Sequence, residues 1–251
     1  MQLPYVEIDV LAIEQNARAI VELCSSAGIE VTGVTKGVFG HPEVATAMLR
    51  GGVGSIGESR LDNVARLRAG GVDSPIMLIR PPSLARIAET VGEVAVSYQS
   101  DLTTLERIGA EAVVAGGAHD VILMVDLGER REGVLPDDLP RFANEAAVIP
   151  GVRVVGIGTN LTCFAGLVPT PDNMSRLVEL AERVERCAGI ELAWISAGSS
   201  SALPLLADGR MPERVNHLRI GEAILLGRET VHHQPWPGAV QDAMLLRAEV
   251  V

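Results

Sequence analysis

A chain of 251 residues, 47% of them hydrophobic, can bury a substantial core as one large domain or two small ones. Its 32 acidic against 21 basic residues leave a formal charge of −11, which argues against nucleic acid, because affinity for a phosphate backbone rests on Lys and Arg. No apolar run reaches the roughly 18 residues of a membrane span, and the leader MQLPYVEIDV lacks a basic start and an apolar centre, so neither membrane nor export is expected.

Three cysteines, Cys24, Cys163 and Cys187, form an odd set without CxxC pairing. They suggest neither a disulfide framework nor a zinc site, and a cytoplasmic location is the simplest reading.

In chain order, β-rich runs near 31–36, 55–59, 74–80, 94–98, 120–127, 152–160, 192–198 and 216–220 alternate with helical stretches. One helix is well marked. Thr170 and Pro171 open it, Met174, Leu177, Val178, Ala181 and Val184 share a face, and Gly189 closes it. Eight such βα units imply an α/β fold, a (β/α)₈ barrel over residues 11–230. Two further strand-like pieces flank it: YVEIDV at 5–10, and DAMLLRAEVV at 242–251 with Met244, Leu246, Ala248 and Val250 on one face. A two-stranded ribbon alone is marginal, so residues 1–10 and 236–251 are expected to be remnants of a truncated C-terminal β domain. The alternative is that they pair with each other against the barrel.

The chemistry centres on Lys36. It stands alone beside 20 arginines (21 − 1 = 20), so arginine serves wherever a charge suffices and the surviving lysine is expected to act as an amine. A lysine amine can lose its proton and attack a carbonyl, whereas a guanidinium stays protonated. In barrels of this class, catalytic groups gather at the carboxyl ends of the strands. Lys36, Arg131, Asn160, Ser199, Ser200, Arg219 and Gly221 all fall at such ends. An amine beside small-residue turns, GSSS at 198–201 and RIGEA at 219–223, suits a phosphorylated aldehyde; pyridoxal 5′-phosphate is the common one.

Other patterns have plainer readings. Gly52, Gly54 and Gly57 spell GxGxxG, but they join a helix to a strand, the reverse of the dinucleotide-binding order. The sequon at Asn160-Leu161-Thr162 lacks a secretory context, His232 and His233 are adjacent rather than spaced for one metal, and Asp137 and Asp138 start a helix. Arg131 and Arg219 also fit structural ion pairs, and Ser199 to Ser201 also fit a helix-capping turn.

VTKGVFGHP resembles the lysine segment of the alanine racemases, while VDLGERREG, GIGTNLTCFAG, GSSSAL and LRIGEAILLGRE resemble the ornithine racemase branch more closely. The resemblance runs in order over roughly residues 5 to 250. It implies an amino-acid racemase using pyridoxal phosphate on a Lys36 Schiff base, with Lys36 as one of two bases. Ser200, with the backbone of Gly221 and Glu222, then holds phosphate, and Ser199 and Asn160 are counted with Ser200 among the cofactor-binding residues. Arg219 faces the pyridine nitrogen, Arg131 the substrate carboxylate, and Asn160 takes the place of a histidine. Phe39 stands where many relatives have a phosphate-binding tyrosine, so that hydroxyl is expected to be missing.

The second base in the alanine racemases is a tyrosine from a partner subunit, which implies a possible homodimer. Only Tyr5 and Tyr98 occur here, neither in a matching segment, so this chain is expected to bind cofactor but racemise weakly or not at all. Two other readings remain open: a single-domain carrier resembling the pyridoxal-phosphate homeostasis proteins, and a lysine-dependent aldolase that forms its imine with substrate.

Overall fold

Strands rich in Val, Ile and Leu on both faces must be covered on both sides, and the chain meets this by closing eight of them into a ring inside a helical shell. The computed structural model describes residues 3–162 and 166–249. Strand β1 (Tyr5–Ile8) and helix α1 (Val10–Ser26) lead into β2 (Glu30–Val34), α2 (Pro42–Arg50), β3 (Ser55–Glu58) and α3 (Leu61–Ala69). The ring continues with β4 (Ile76–Leu78), α4 (Ile87–Glu93), β5 (Val96–Gln99), α5 (Leu102–Val114), β6 (His119–Met124) and α6 (Leu139–Ala147). It ends with β7 (Val152–Gly158), α7 (Pro171–Ala188), β8 (Trp194–Ser196), α8 (Leu203–Ala207), β9 (His217–Ile220) and α9 (Glu222–Leu226). Strands β2 to β9 are parallel and form a closed barrel, β9 returning to β2 from Glu30↔His217 to Gly33↔Ile220.

All eight expected strands are present, with shorter limits. The largest consequence is at Lys36, because β2 stops at Val34 and Lys36 opens a single 3₁₀ turn, Lys36–Val38. Thr35 leaves the β region (φ −101°, ψ 3°), and its carbonyl accepts the N–H groups of Val38 and Gly40. That turn aims the segment across the barrel mouth.

Strand alternation divides the core in two. Ile76 and Leu78 of β4 join the large cluster between sheet and helices, while Met77 joins Tyr98, Ile122 and Met124 in the lumen. Helix α7 shows how the shell is fixed: Thr170 and Asn173 form a reciprocal capping box, Met174, Leu177, Leu180, Ala181 and Val184 are buried, and Gly189 ends it at φ 65°. Burial is worth roughly 2 kcal/mol for each of the larger side chains. Asp138 precedes α6 without a side-chain capping bond, and Gly52 makes the turn from α2 to β3 at φ 103°. Burial pushes the Cys24 thiol up to about 12, which keeps it from thiolate chemistry. Cys163 lies outside the described residues, as does Val250. No described helix is long and apolar enough to cross a membrane.

The flanking pieces pair with each other: β1 runs antiparallel to β10 (Met244–Arg247), from Tyr5↔Arg247 to Ile8↔Met244. Val6 remains 51% and Leu246 71% exposed, so the ribbon forms no core of its own. Met244, however, reaches the barrel mouth.

Candidate active site

The Lys36 segment is pinned from below by a buried carboxylate. Glu58, at the end of β3, is fully buried; its Oε1 accepts the Thr35 hydroxyl at 2.7 Å, and its Oε2 accepts the Ser59 N–H at 3.1 Å and the Asn63 amide at 2.9 Å. No cation touches it among the described residues. Beyond the lysine, Gly40 has φ 63° and its missing Cβ would lie 2.9 Å from Asn63, so only glycine fits. Arg66 donates to the Phe39 carbonyl at 2.8 Å, while the Phe39 ring is 64% exposed.

Arg219 occupies the centre of the mouth, 5% exposed, and its partners are all neutral. Its Nη1 donates to Ser196 Oγ at 2.5 Å; its Nη2 donates to the Thr159 carbonyl at 2.9 Å and Asn160 Oδ1 at 2.5 Å; the guanidinium lies 4.8 Å from the Tyr98 ring centroid. Asn160 passes the contact on, its amide N–H₂ donating to Glu132, whose carboxylate lies 3.8 Å from Arg131 Nε. Arginine only donates and carboxylate only accepts, so these two neighbours fix which way the Asn160 amide points.

Arg131 and Glu132 sit on the loop after β6. Asp126 Oδ1 accepts the N–H groups of Gly128 and Arg130 at 2.8 and 3.0 Å. The loop closes where Gly133, at φ 118°, approaches so closely that a Cβ would stand 2.6 Å from Asp126 N. Across the mouth, Ser200 Oγ accepts the Ala223 N–H at 3.1 Å, tying the serine turn to the start of α9. The first N–H groups of a helix have no acceptor within it, and Gly221 is pressed against β2, its missing Cβ 3.1 Å from the Val34 carbonyl.

These groups surround one cavity of about 450 Å³ at the carboxyl end of the barrel. The eight candidate site residues line it, Lys36, Arg131, Asn160 and Ser199 with Ser200, Arg219, Gly221 and Glu222, whereas Phe39 does not. The family model for the alanine racemase N-terminal domain matches residues 8–229. The chain belongs to that family.

Among racemases, the chain is 36% identical to the lysine racemase of Thermotoga maritima over 251 residues, covering 100% of this chain and 70% of that protein. It is 32% identical to the ornithine racemase of Acetoanaerobium sticklandii over 249 residues, covering 99% and 70%. By structure it is similar to the alanine racemase of Corynebacterium glutamicum, with a TM-score of 0.81 at 20% identity, covering 100% of this chain and 69% of that one. It is also similar to D-threonine aldolase from Filomicrobium marinum, with a TM-score of 0.76 at 17% identity, covering 98% and 69%. At such identities the structures speak for the fold alone.

For this racemase-family barrel, several pocket residues escaped the sequence reading. Arg80 and Thr230 also line the cavity, and Thr230 Oγ1 is buried without a protein partner among the described residues. Glu229, next to it, folds the following loop by accepting N–H groups from Val231, His232 and Gln234. His232 and His233 are exposed on that loop.

Beneath Arg219, His217 is fully buried, with Nδ1 2.8 Å from Ser196 Oγ and Nε2 2.8 Å from Thr32 Oγ1. Burial, helped by the Arg219 charge, pushes its pKa from 6.5 down to about 3. Burial also lowers His119, against a smaller opposing pull from Asp120. The unfolded chain therefore takes up protons below pH 6.5 that the folded chain refuses, so stability falls as pH drops from 6.5 towards 3. His217 alone is expected to cost about 1.4 kcal/mol between pH 7.5 and 5.5. Urea titrations at those pH values should show this drop, and His217→Gln should remove about that much of it. Glu185 and Glu229, whose pKa values are lowered, begin to titrate only below their ordinary 4.5.

Proposed function

We propose that this chain is the pyridoxal 5′-phosphate-binding barrel of an amino-acid racemase, residues 11–230, with residues 1–10 and 236–251 as strands of a second β unit. The observation that carries the reading is the convergence of one amine, one serine turn and one carboxylate-free guanidinium on a single cavity. The donor set fits this cofactor. Lys36 offers an amine and Ser200 keeps its own hydroxyl proton free while accepting from Ala223. Arg219 commits three of its five N–H groups to protein acceptors and has two left for a ligand. The unpartnered Thr230 hydroxyl and a volume within the usual range for small-molecule sites agree with this.

When bound, pyridoxal phosphate supplies an aldehyde to the amine and a conjugated ring that draws electrons from the α-carbon of an amino acid. Ser199, Ser200 and the N–H groups of Gly221 and Glu222 would hold the phosphate. Phe39 contributes no hydroxyl to it. Arg219 would face the ring nitrogen and, because a guanidinium does not yield its proton, would leave that nitrogen unprotonated and the ring a weaker electron sink. Arg131 pairs with the substrate carboxylate, and Asn160 steadies Arg219. Lys36 Nζ would serve as the base that takes and returns the α-proton on its own face.

Racemisation needs a second base opposite Lys36. The described pocket wall contains neither tyrosine nor histidine: Tyr98 is buried under Arg219 and Tyr5 lies in β1. The chain alone is therefore a cofactor binder with weak racemase activity at most, its second base coming from outside these walls. Fold likeness to an aldolase shows that the barrel does not choose the reaction; the two racemases at 36% and 32% identity favour racemisation, with ornithine and lysine as the first substrates to try.

The test is α-hydrogen exchange. The cofactor-loaded chain in deuterium oxide should exchange the α-hydrogen of ornithine, lysine, alanine or serine while inverting it far more slowly. No exchange with any of them would contradict the racemase reading, and fast inversion would contradict the missing base.

A further inference from the structure

Arg219 is held on its inner side by a run of hydrogen bonds that has a single direction. A guanidinium only donates, so Ser196 Oγ accepts from Arg219 at 2.5 Å and must send its own proton elsewhere. Two acceptors are in reach: His217 Nδ1 at 2.8 Å and the Tyr98 hydroxyl at 3.3 Å. The cation decides between them, because an imidazole beside a positive charge is most stable with its bare nitrogen turned towards that charge. Nδ1 is then the acceptor and Nε2 carries the ring proton. Nε2 lies 2.8 Å from Thr32 Oγ1, which in turn lies 2.7 Å from Ser55 Oγ. The run therefore points from Arg219 through Ser196 and His217 to Thr32, whose own proton has Ser55 Oγ at 2.7 Å and Met77 Sδ at 3.3 Å within reach. All of these residues are buried, and His217 packs on Trp194 at 5.9 Å between ring centroids, so the ring cannot turn over without breaking both bonds.

We propose that His217 is a positioning residue for Arg219: as a neutral imidazole with Nδ1 bare, it takes the Ser196 hydroxyl proton, so that Ser196 presents only a lone pair to the guanidinium. This fixes the roll of the guanidinium and hence where its two uncommitted N–H groups point. The inference rests on the reading of Arg219 as the partner of the cofactor ring nitrogen. The low proton affinity of His217 supports it, since a protonated ring would donate from both nitrogens and reverse the run.

A ligand pair separates this role from mere packing: pyridoxal 5′-phosphate, and its 1-deaza analogue with carbon in place of the ring nitrogen. Dissociation constants for both are measured by equilibrium titration on the wild type, Ser196→Ala, His217→Phe and His217→Gln. The wild type is expected to prefer the natural cofactor by about tenfold, the worth of a hydrogen bond from a charged donor. Ser196→Ala and His217→Phe should each cut that preference at least about threefold, while His217→Gln, which keeps a donor and an acceptor, should retain most of it. A purely structural loss would weaken both ligands alike. An unchanged preference in Ser196→Ala, the mildest change, or in a folded His217→Phe overturns the inference. A wild type that binds both ligands equally also overturns it and leaves the Lys36 reading standing, whereas a wild type that binds neither overturns the cofactor reading itself.

Discussion

Lys36→Arg should abolish covalent capture of pyridoxal phosphate and cut α-hydrogen exchange by about a thousandfold or more, while leaving the fold unchanged. Arginine keeps the positive charge and much of the length but does not surrender its proton, so the substitution removes the nucleophile and little else. Lys36 lies on the exposed face of its turn and makes no side-chain hydrogen bond among the described residues, which places the stability change within about 0.5 kcal/mol. Borohydride treatment followed by intact-mass measurement reads the first effect, and urea unfolding reads the second. A fixed adduct in the arginine variant, at wild-type yield, would remove Lys36 from the site.

Glu58→Ala is expected to produce the largest loss of stability, about 3–5 kcal/mol, because it strips a fully buried carboxylate from three donors at once. The Thr35 hydroxyl, the Ser59 N–H and the Asn63 amide would be left unsatisfied around a new cavity. Glu58→Gln keeps the volume but turns an amide donor towards another donor, and should cost about 1–2 kcal/mol. Both variants should also weaken cofactor binding, since Thr35 and Asn63 brace the turn that presents Lys36. Urea unfolding checks the order, and an alanine variant within 1 kcal/mol of wild type would show that the carboxylate is not holding this turn.

The barrel was legible because its strands, covered on both faces, read as short apolar runs punctuated by helix signals such as Thr170 and Gly189. The site residues were legible where they sit at strand ends in segments that resemble the racemases. Strand limits were less so: β2 stops at Val34, and the partner that holds the next residue, Thr35, is Glu58, 23 positions away. Glu58 itself hides in SIGES, where period-two alternation gives no hint of a partner. His217 left a usable signal, two residues before Arg219 on one strand and thus on the same face. Thr230 left none, since its place in the cavity depends on the loop that Glu229 folds. Alternation put Leu246 on one face with Met244, but it could not tell that the two-stranded ribbon leaves Leu246 71% exposed.

The central claim is that the sole ε-amino group of the chain carries the cofactor. Because the sequence holds one lysine, only Lys36 and the amino terminus can be fixed by borohydride in protein saturated with pyridoxal phosphate. Peptide mapping should find a single pyridoxyl group on Lys36. Saturated protein in which Lys36 stays unmodified would contradict the account.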